Sequence, residues 1–449
     1  MEDFTEIFMK KEKTDKANQN DFSSEMLQFI EQSPTCFHAT KNIKNLLCEK
    51  GFSELSEQNP WKIKHGERYF VTRGDSSIIA FALPQKCNGG FAIVASHTDS
   101  PALKIKEGGE KNELGVCRLN VEKYGGLLLS PWFDRPLSVA GRVAIRSKNG
   151  KIEMRLADIR RPLALIPSLA IHFDRNANDG KKIDFQNEML PVFSEEGERS
   201  ILDAISEHLK IKKTDILATD LFVYNAERGF FWGAQNEFLS SPRLDDLECA
   251  WTTLQGFLDS IVTLEEMQNI PVYATFDNEE VGSMTRQGAD STFLSETLER
   301  ISISLKKNRE EHFCALARSF LVSADNAHAL HPAHAHLFDP VNRPLVNKGI
   351  VAKLNAAQKY TTDSISLALF KDFCQKAAVP LQIFTNNSNV AGGSTLGNIS
   401  QTHVSVRSID VGLPQWAMHS PLESAGAKDP IFMKRATEAF FKADEFPLD

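Results

Sequence analysis

The chain of 449 residues predicts an α/β protein, a doubly wound mixed sheet interrupted by a β-rich insertion. Three observations carry that prediction. Short apolar runs such as FAIVAS, PVYATF and SFLVSA alternate with segments of helical period, as expected of strands buried on both faces and joined by helices. From about residue 103 the pattern changes to alternating apolar and polar residues with turn glycines, as in antiparallel strands. Near residue 238 the longer helices and apolar strands return.

The elements follow in order. Residues 1–22, MEDFTEIFMKKEKTDKANQNDF, read as a charged tail; acids near the start and no apolar stretch ahead of small residues argue against a secretory signal. Ser23-Ser24 before MLQFIEQ predict a capped helix stopped by Ser33-Pro34, and NIKNLLCEKGF a second helix ending at Gly51. GGFAIVASHTDSP predicts a buried strand ending in a polar turn. The stretches LKIKEGG, GVCRLNVEKYGG and SVAGRVAIRSKNGKIEMRLADI make up the antiparallel region. In RLDDLECAWTTLQGFLDSI, Leu247, Ala250, Trp251, Leu254, Phe257, Leu258 and Ile261 share one helical face. PVYATF, SFLVSA and HVSVRSIDVG predict the remaining strands. The expected organisation is therefore a tail (1–22), a discontinuous α/β domain (23–102 and 238–449) and an insertion (103–237).

Composition narrows the function classes. Hydrophobic residues at 42% and charged residues at 24% are ordinary for a soluble protein, and no apolar run approaches the ~18 residues of a membrane span. A net charge of -8 without a basic run argues against nucleic acid as the partner. Seven cysteines, an odd number with no CxxC pair, fit a reducing cytoplasmic setting.

The chemistry starts at YATFDNEEVGS, where Glu279 and Glu280 stand side by side at the end of an apolar strand. Two carboxylates held close in a partly buried place repel each other and stay ionised only beside a cation. HTDSP, Asp325 after FLVSA, and His419 in WAMHS occupy similar strand ends, and ligands of open α/β sheets bind beyond the carboxyl ends of strands. Each residue has a plain structural alternative. His97 suits a hydrogen-bonded structural histidine, Asp99 a turn cap, Asp245 a helix N-cap, Asp325 an Asx-turn and His419 an exposed surface. Their joint occurrence with the glutamate pair favours a site for zinc or a similar divalent ion. The four histidines of AHALHPAHAH suit pocket lining better than a metal, and AGGSTLG lacks the lysine of a phosphate loop.

HTDSP, SPRLDDL, FDNEEVGS, SADNAHALHP, NRPLVNKG, GGSTLGNIS and AMHS, in this order, resemble the aspartyl aminopeptidase family of dinuclear zinc peptidases. The resemblance runs from SPTCFHA at 33–39 to the C-terminus. It extends to SPWFDRPLSVAGRV and IPSLAIHFDRNAND, which are similar to the family's dimerisation domain. It implies two divalent ions, zinc in the family: His97 and Asp325 on one, Glu280 and His419 on the other, and Asp245 bridging. Asp99 would orient His97, and Glu279 would be the general base that takes a proton from the attacking water. A cis bond between Asp245 and Asp246 is implied as well. So are peptide substrates, dimers assembling into a dodecamer, His172 completing the partner's active site, and Lys353 receiving an acidic N-terminal side chain.

The chain departs from the family at Asn389, where an acid is usual, and at His334, where a tyrosine is usual; both positions are expected to line the substrate pocket. Rival readings are another dinuclear aminopeptidase or deacylase with different specificity, and a non-catalytic assembly protein. Turnover of aminoacyl substrates with and without chelator separates them.

Overall fold

The computed structural model describes residues 21–390, 392–393 and 395–446. Most of the charged tail, residues 1–20, lies outside the described residues, as do Ala391 and Ser394 of the glycine loop.

The core is a nine-stranded mixed sheet. Its order is Ser53–Leu55, Arg68–Arg73, Ser77–Ala82, Ile270–Phe276, Phe91–His97, Phe320–Ala324, Arg407–Gly412, Ile350–Leu354 and Leu381–Thr385. At its centre Ile270–Phe276, Phe91–His97, Phe320–Ala324 and Arg407–Gly412 run parallel, each pairing with the next. The first three are buried at every residue, which is why they read as unbroken apolar runs. Alternate residues feed two cores. Ala92, Val94, Tyr273 and Phe320 face one, packed with the helices Cys36–Glu49, Leu244–Ser260 and Asp429–Phe441. Ile93, Ala95, Val272 and Leu321 face the other, packed with Phe293–Ser304.

A second sheet of six antiparallel strands has the order Ile152–Asp158, Leu137–Arg146, Ile216–Asn225, Ala102–Glu113, Val116–Tyr124 and Val192–Glu195. It encloses its own apolar core around Trp132, Leu137, Val143 and Val223. A third, five-stranded sheet joins Phe230–Trp232 and Phe238–Ser241 to Glu423–Gly426, Pro414–Trp416 and Ala327–His328.

Two local expectations need correction. The first described helix spans 21–31, so Ser23 is inside it rather than capping it; its hydroxyl donates instead to the carbonyl of Ala427 at 2.9 Å. The strand expected over HVSVRSIDVG begins only at Arg407, because the amide of Gln401 reaches across a turn to the carbonyl of Val406 at 3.1 Å. Among the described residues no helix is long and apolar enough to cross a membrane.

One packing feature makes a prediction about acid stability. His38 is buried on the helix Cys36–Glu49, with Nδ1 2.9 Å from the hydroxyl of Thr35. Burial lowers its pKa from 6.5 to about 4, against the pull of Asp158. The folded value lies below the unfolded one, so the neutral ring contributes stability above pH 6.5 that is lost as pH falls through 4. The full difference is on the order of 3 kcal/mol. Denaturant midpoints of the metal-free protein should fall between pH 6.5 and 4.5. His38→Gln should flatten that decline, and an unchanged slope would remove His38 as its source.

Candidate metal centre

Strand register brings the distant motifs together. Phe276 pairs with His97, and the neighbouring parallel strand ends at Ala324, so His97, the turn after Phe276 and Asp325 all emerge from one edge of the sheet. Gly412 on the next strand allows this closeness, since a Cβ there would lie 1.9 Å from the carbonyl oxygen of Asp325. The fourth contribution comes from the helix Leu244–Ser260. Asp245 and Asp246 depart from helical geometry at its start, and the bond between them is cis, the isomer expected from the resemblance. Asp245 does not cap the helix; its N–H donates to Glu423 Oε2 at 3.0 Å and its carbonyl accepts from Ser100 at 2.8 Å.

The two oxygens of Asp245 face different histidines. Oδ1 lies 3.5 Å from His97 Nε2, and Oδ2 lies 3.4 Å from His419 Nε2, which is also 3.4 Å from Glu280 Oε2. The other nitrogen of each ring points to a backbone carbonyl: His97 Nδ1 to Asp99 at 3.0 Å, His419 Nδ1 to Gly126 at 2.9 Å. A carbonyl only accepts, so Nδ1 carries a hydrogen, and Nε2 is the nitrogen left to share a metal ion with the carboxylates it faces. Potential ligand atoms form overlapping groups: His97 with Asp245, Asp246 and Asp325; His97 with Glu279 and Glu280; and Asp245 with Glu280 and His419.

Asp99 organises this edge. Its carboxylate accepts the N–H groups of Glu279 and Glu280, both at 3.1 Å, and Oδ1 lies 3.3 Å from His97 Nδ1. The glutamate turn is thereby fixed, with Asn278 in the left-handed region at φ 63° and Gly282 at φ 99°. Two carboxylates not expected from the sequence also serve the site. Asp246 accepts the N–H of His97 and of Asn326, both at 3.2 Å, which occupies both its oxygens. Glu423 accepts from the N–H of His419 at 2.7 Å as well as from Asp245.

The electrostatics are those of crowded, buried carboxylates flanked by two imidazoles. Burial pushes Glu279 up to about 8, with Asp325, Asp99 and Asp245 adding to the shift and His97 opposing it. Burial, then the charge of Asp245, drives Glu280 well above its usual range. Burial works against the charge of His419, yet its contact with Asp245 and the charge of Glu280 push it up to about 10. Asp245 Oδ1 and Glu280 Oε1 are buried without a hydrogen-bond partner. Oxygen and imidazole donors with orphaned buried lone pairs fit zinc.

His97, Asp245, Glu279, Glu280, Asp325 and His419 line a cavity of about 150 Å³ together with His328, Lys353, Tyr360, Phe384 and Met418. Lys353 is 4% exposed, with Nζ 3.7 Å from Asp325 Oδ1 and 5.7 Å from the centre of the Tyr360 ring. Burial opposes its charge, but Asp325, Tyr360, Asp410 and Asp245 together more than offset this and keep it protonated. His172 is exposed and does not line the cavity of its own chain. Nor, contrary to expectation, do Asn389 and His334. Both are exposed: Asn389 donates its N–H to Asn387 Oδ1 within a surface turn, and the His334 ring lies tilted beside that of His331, centroids 4.8 Å apart.

Comparison with known proteins gives a consistent match. Residues 29–441 match the family model described as aminopeptidase I zinc metalloprotease (M18). A probable M18 family aminopeptidase 2 of Clostridium novyi is 44% identical over 433 residues, 94% of this chain and 99% of the relative. A chain in the cryo-EM structure of an Ape4 and Nbr1 complex superposes with a TM-score of 0.92 at 36% identity, covering 95% of this chain and 86% of that one. The mApe1 dodecamer of S. cerevisiae gives 0.83 at 26% identity, covering 95% and 97%.

Proposed function

The chain belongs to the M18 family of zinc metallo-aminopeptidases, and on that premise we propose that it hydrolyses acidic N-terminal residues from peptides at a two-ion site. His97 and Asp325 would hold one ion, Glu280 and His419 the other, with Asp245 between them. The observation that carries this reading is that the two oxygens of Asp245 face two different histidines, at 3.5 and 3.4 Å.

Zinc, when bound, supplies Lewis acidity that polarises the scissile carbonyl and acidifies water. The protein's part is proton transfer and positioning. Glu279, anchored through its N–H to Asp99, takes the proton of the attacking water and returns it to the leaving amine. Asp99 holds His97 and the glutamate turn in register. The enclosing walls exclude bulk water and strengthen each electrostatic contact.

The acidic preference rests on Lys353, a buried ammonium in the cavity wall, whose flexible stem suits either Asp or Glu. Turnover of Asp-, Glu-, Leu- and Ala-bearing chromogenic substrates, with and without chelator, tests the function. Lys353→Ala is expected to lower kcat/KM for the acidic substrates at least tenfold more than for Leu or Ala. Equal losses on both would assign Lys353 to holding Asp325, and a wild-type preference for leucine would end the acidic reading.

The exposed run around Leu169, Ile171 and Phe173, with His172 inside it, suits burial against a second copy. It supports a homo-oligomer, and a dodecamer is the assembly of the yeast relative; here dimers would build such a dodecamer, with His172 reaching the partner's site. The free thiols of all seven cysteines support a cytoplasmic setting.

A further inference from the structure

Both halves of the metal centre lean on the same corner of the six-stranded sheet. Tyr124 is the last residue of the strand Val116–Tyr124, its ring held edge-on against Phe222 at 5.5 Å. Its hydroxyl donates to Asp99 Oδ2 at 2.7 Å and accepts from Asn278 Nδ2 at 2.9 Å. Asp99 is the group that fixes the His97 ring and the N–H groups of Glu279 and Glu280, so Tyr124 orients that set through one carboxylate. Two residues on, the carbonyl of Gly126 accepts from His419 Nδ1, and the N–H of Leu128 donates to the carbonyl of His419 at 3.1 Å. The corner passes so close that added side chains would press on ligands. A Cβ at Gly125 would lie 3.1 Å from Glu280 Cβ, and one at Gly126 would lie 3.3 Å from His419 Nδ1.

We infer that the corner Tyr124 to Leu128 is a positioning element for both ions, so that metal binding and the docking of the six-stranded sheet on the α/β core are coupled. The inference rests on the two-ion reading above. Tyr124 acts on the His97 side through Asp99, and Gly126 acts on the His419 side directly. Outer partners of metal-binding histidines fix ring orientation and raise ligand basicity, and their loss typically costs 10–100-fold in affinity. Coupling is reciprocal: if the docked corner tightens zinc, zinc must tighten the docked corner.

The test uses the full-length protein in its native assembly. Zinc stoichiometry and affinity are measured by competition with a chromophoric chelator, ligand geometry by the electronic spectrum of the cobalt-substituted protein, and docking by amide exchange of residues 116–128 with and without zinc. In wild type we expect two ions per chain and at least tenfold slower exchange at 124–128 when zinc is bound. Tyr124→Phe should weaken the ion on the His97 side about tenfold or more and shift its cobalt bands, with a smaller loss at the other ion, whose ligand Glu280 shares Asp99 through its N–H. Gly126→Ala, whose methyl displaces the His419 ring, should weaken the other ion instead.

Wild-type affinities and cobalt spectra in both variants would overturn the inference. So would zinc-independent exchange at 124–128 in wild type, a result that does not depend on either variant folding. A wild-type chain binding no more than one ion would instead bring down the two-ion reading, and this inference with it.

Discussion

Glu279→Gln is expected to bind zinc at the wild-type stoichiometry and to lose about a thousandfold in kcat, within the range general bases supply. The amide has the size and shape of the carboxylate but cannot accept the proton of the attacking water. Nothing else about the turn should change, because residue 279 is held by its backbone N–H on Asp99 rather than by its side chain. KM should stay within a few-fold, since the contacts made with bound substrate remain. Zinc content by atomic emission and kinetics on an acidic aminoacyl substrate check both halves. Loss of zinc with retained turnover would exchange the roles of Glu279 and Glu280.

The legible parts of this protein share a physical cause. Strands buried on both faces must be apolar throughout, so FAIVAS, PVYATF and FLVSA stand out without any knowledge of their neighbours. Polar residues directly after such runs lie at the carboxyl edge of a parallel sheet, which is why His97, Glu279, Glu280 and Asp325 are visible as candidates. Their convergence is not visible in the same way, because it depends on strand order. Ile270–Phe276 lies beside Phe91–His97 although more than 170 residues separate them in the chain.

The supporting groups were the least legible. Asp246 looks like a second copy of Asp245, and only its two backbone donors reveal that it pins strand ends. Glu423 follows His419 by four residues with no pattern to mark it; the pairing of Glu423–Gly426 with Phe238–Ser241 carries it under Asp245. The pocket roles expected of Asn389 and His334 failed because position within a motif does not give side-chain direction. Asn389 sits in a turn whose N–H bonds back to Asn387, and the rings of His334, His331 and His336 gather outside the cavity.

Asp245→Ala should remove more than any other single change. In the two-ion reading each ion has two private protein ligands and shares Asp245, whose oxygens face His97 and His419 separately. Truncating it takes one ligand from both ions and leaves the two imidazoles with no shared anion between them. Zinc should fall from two ions per chain toward none, whereas Glu280→Ala and Asp325→Ala should each keep one. Activity should drop about 10⁴-fold or more, the scale seen when residues that act as a unit are broken. The fold should survive, because the backbone contacts of residue 245 with Glu423 and Ser100 do not use its side chain. Circular dichroism of the metal-free variant, matched to metal-free wild type, checks this. Metal stoichiometry across the three variants then decides the bridge: one ion retained in Asp245→Ala would make it a ligand of a single ion, and two would take it out of the metal centre altogether.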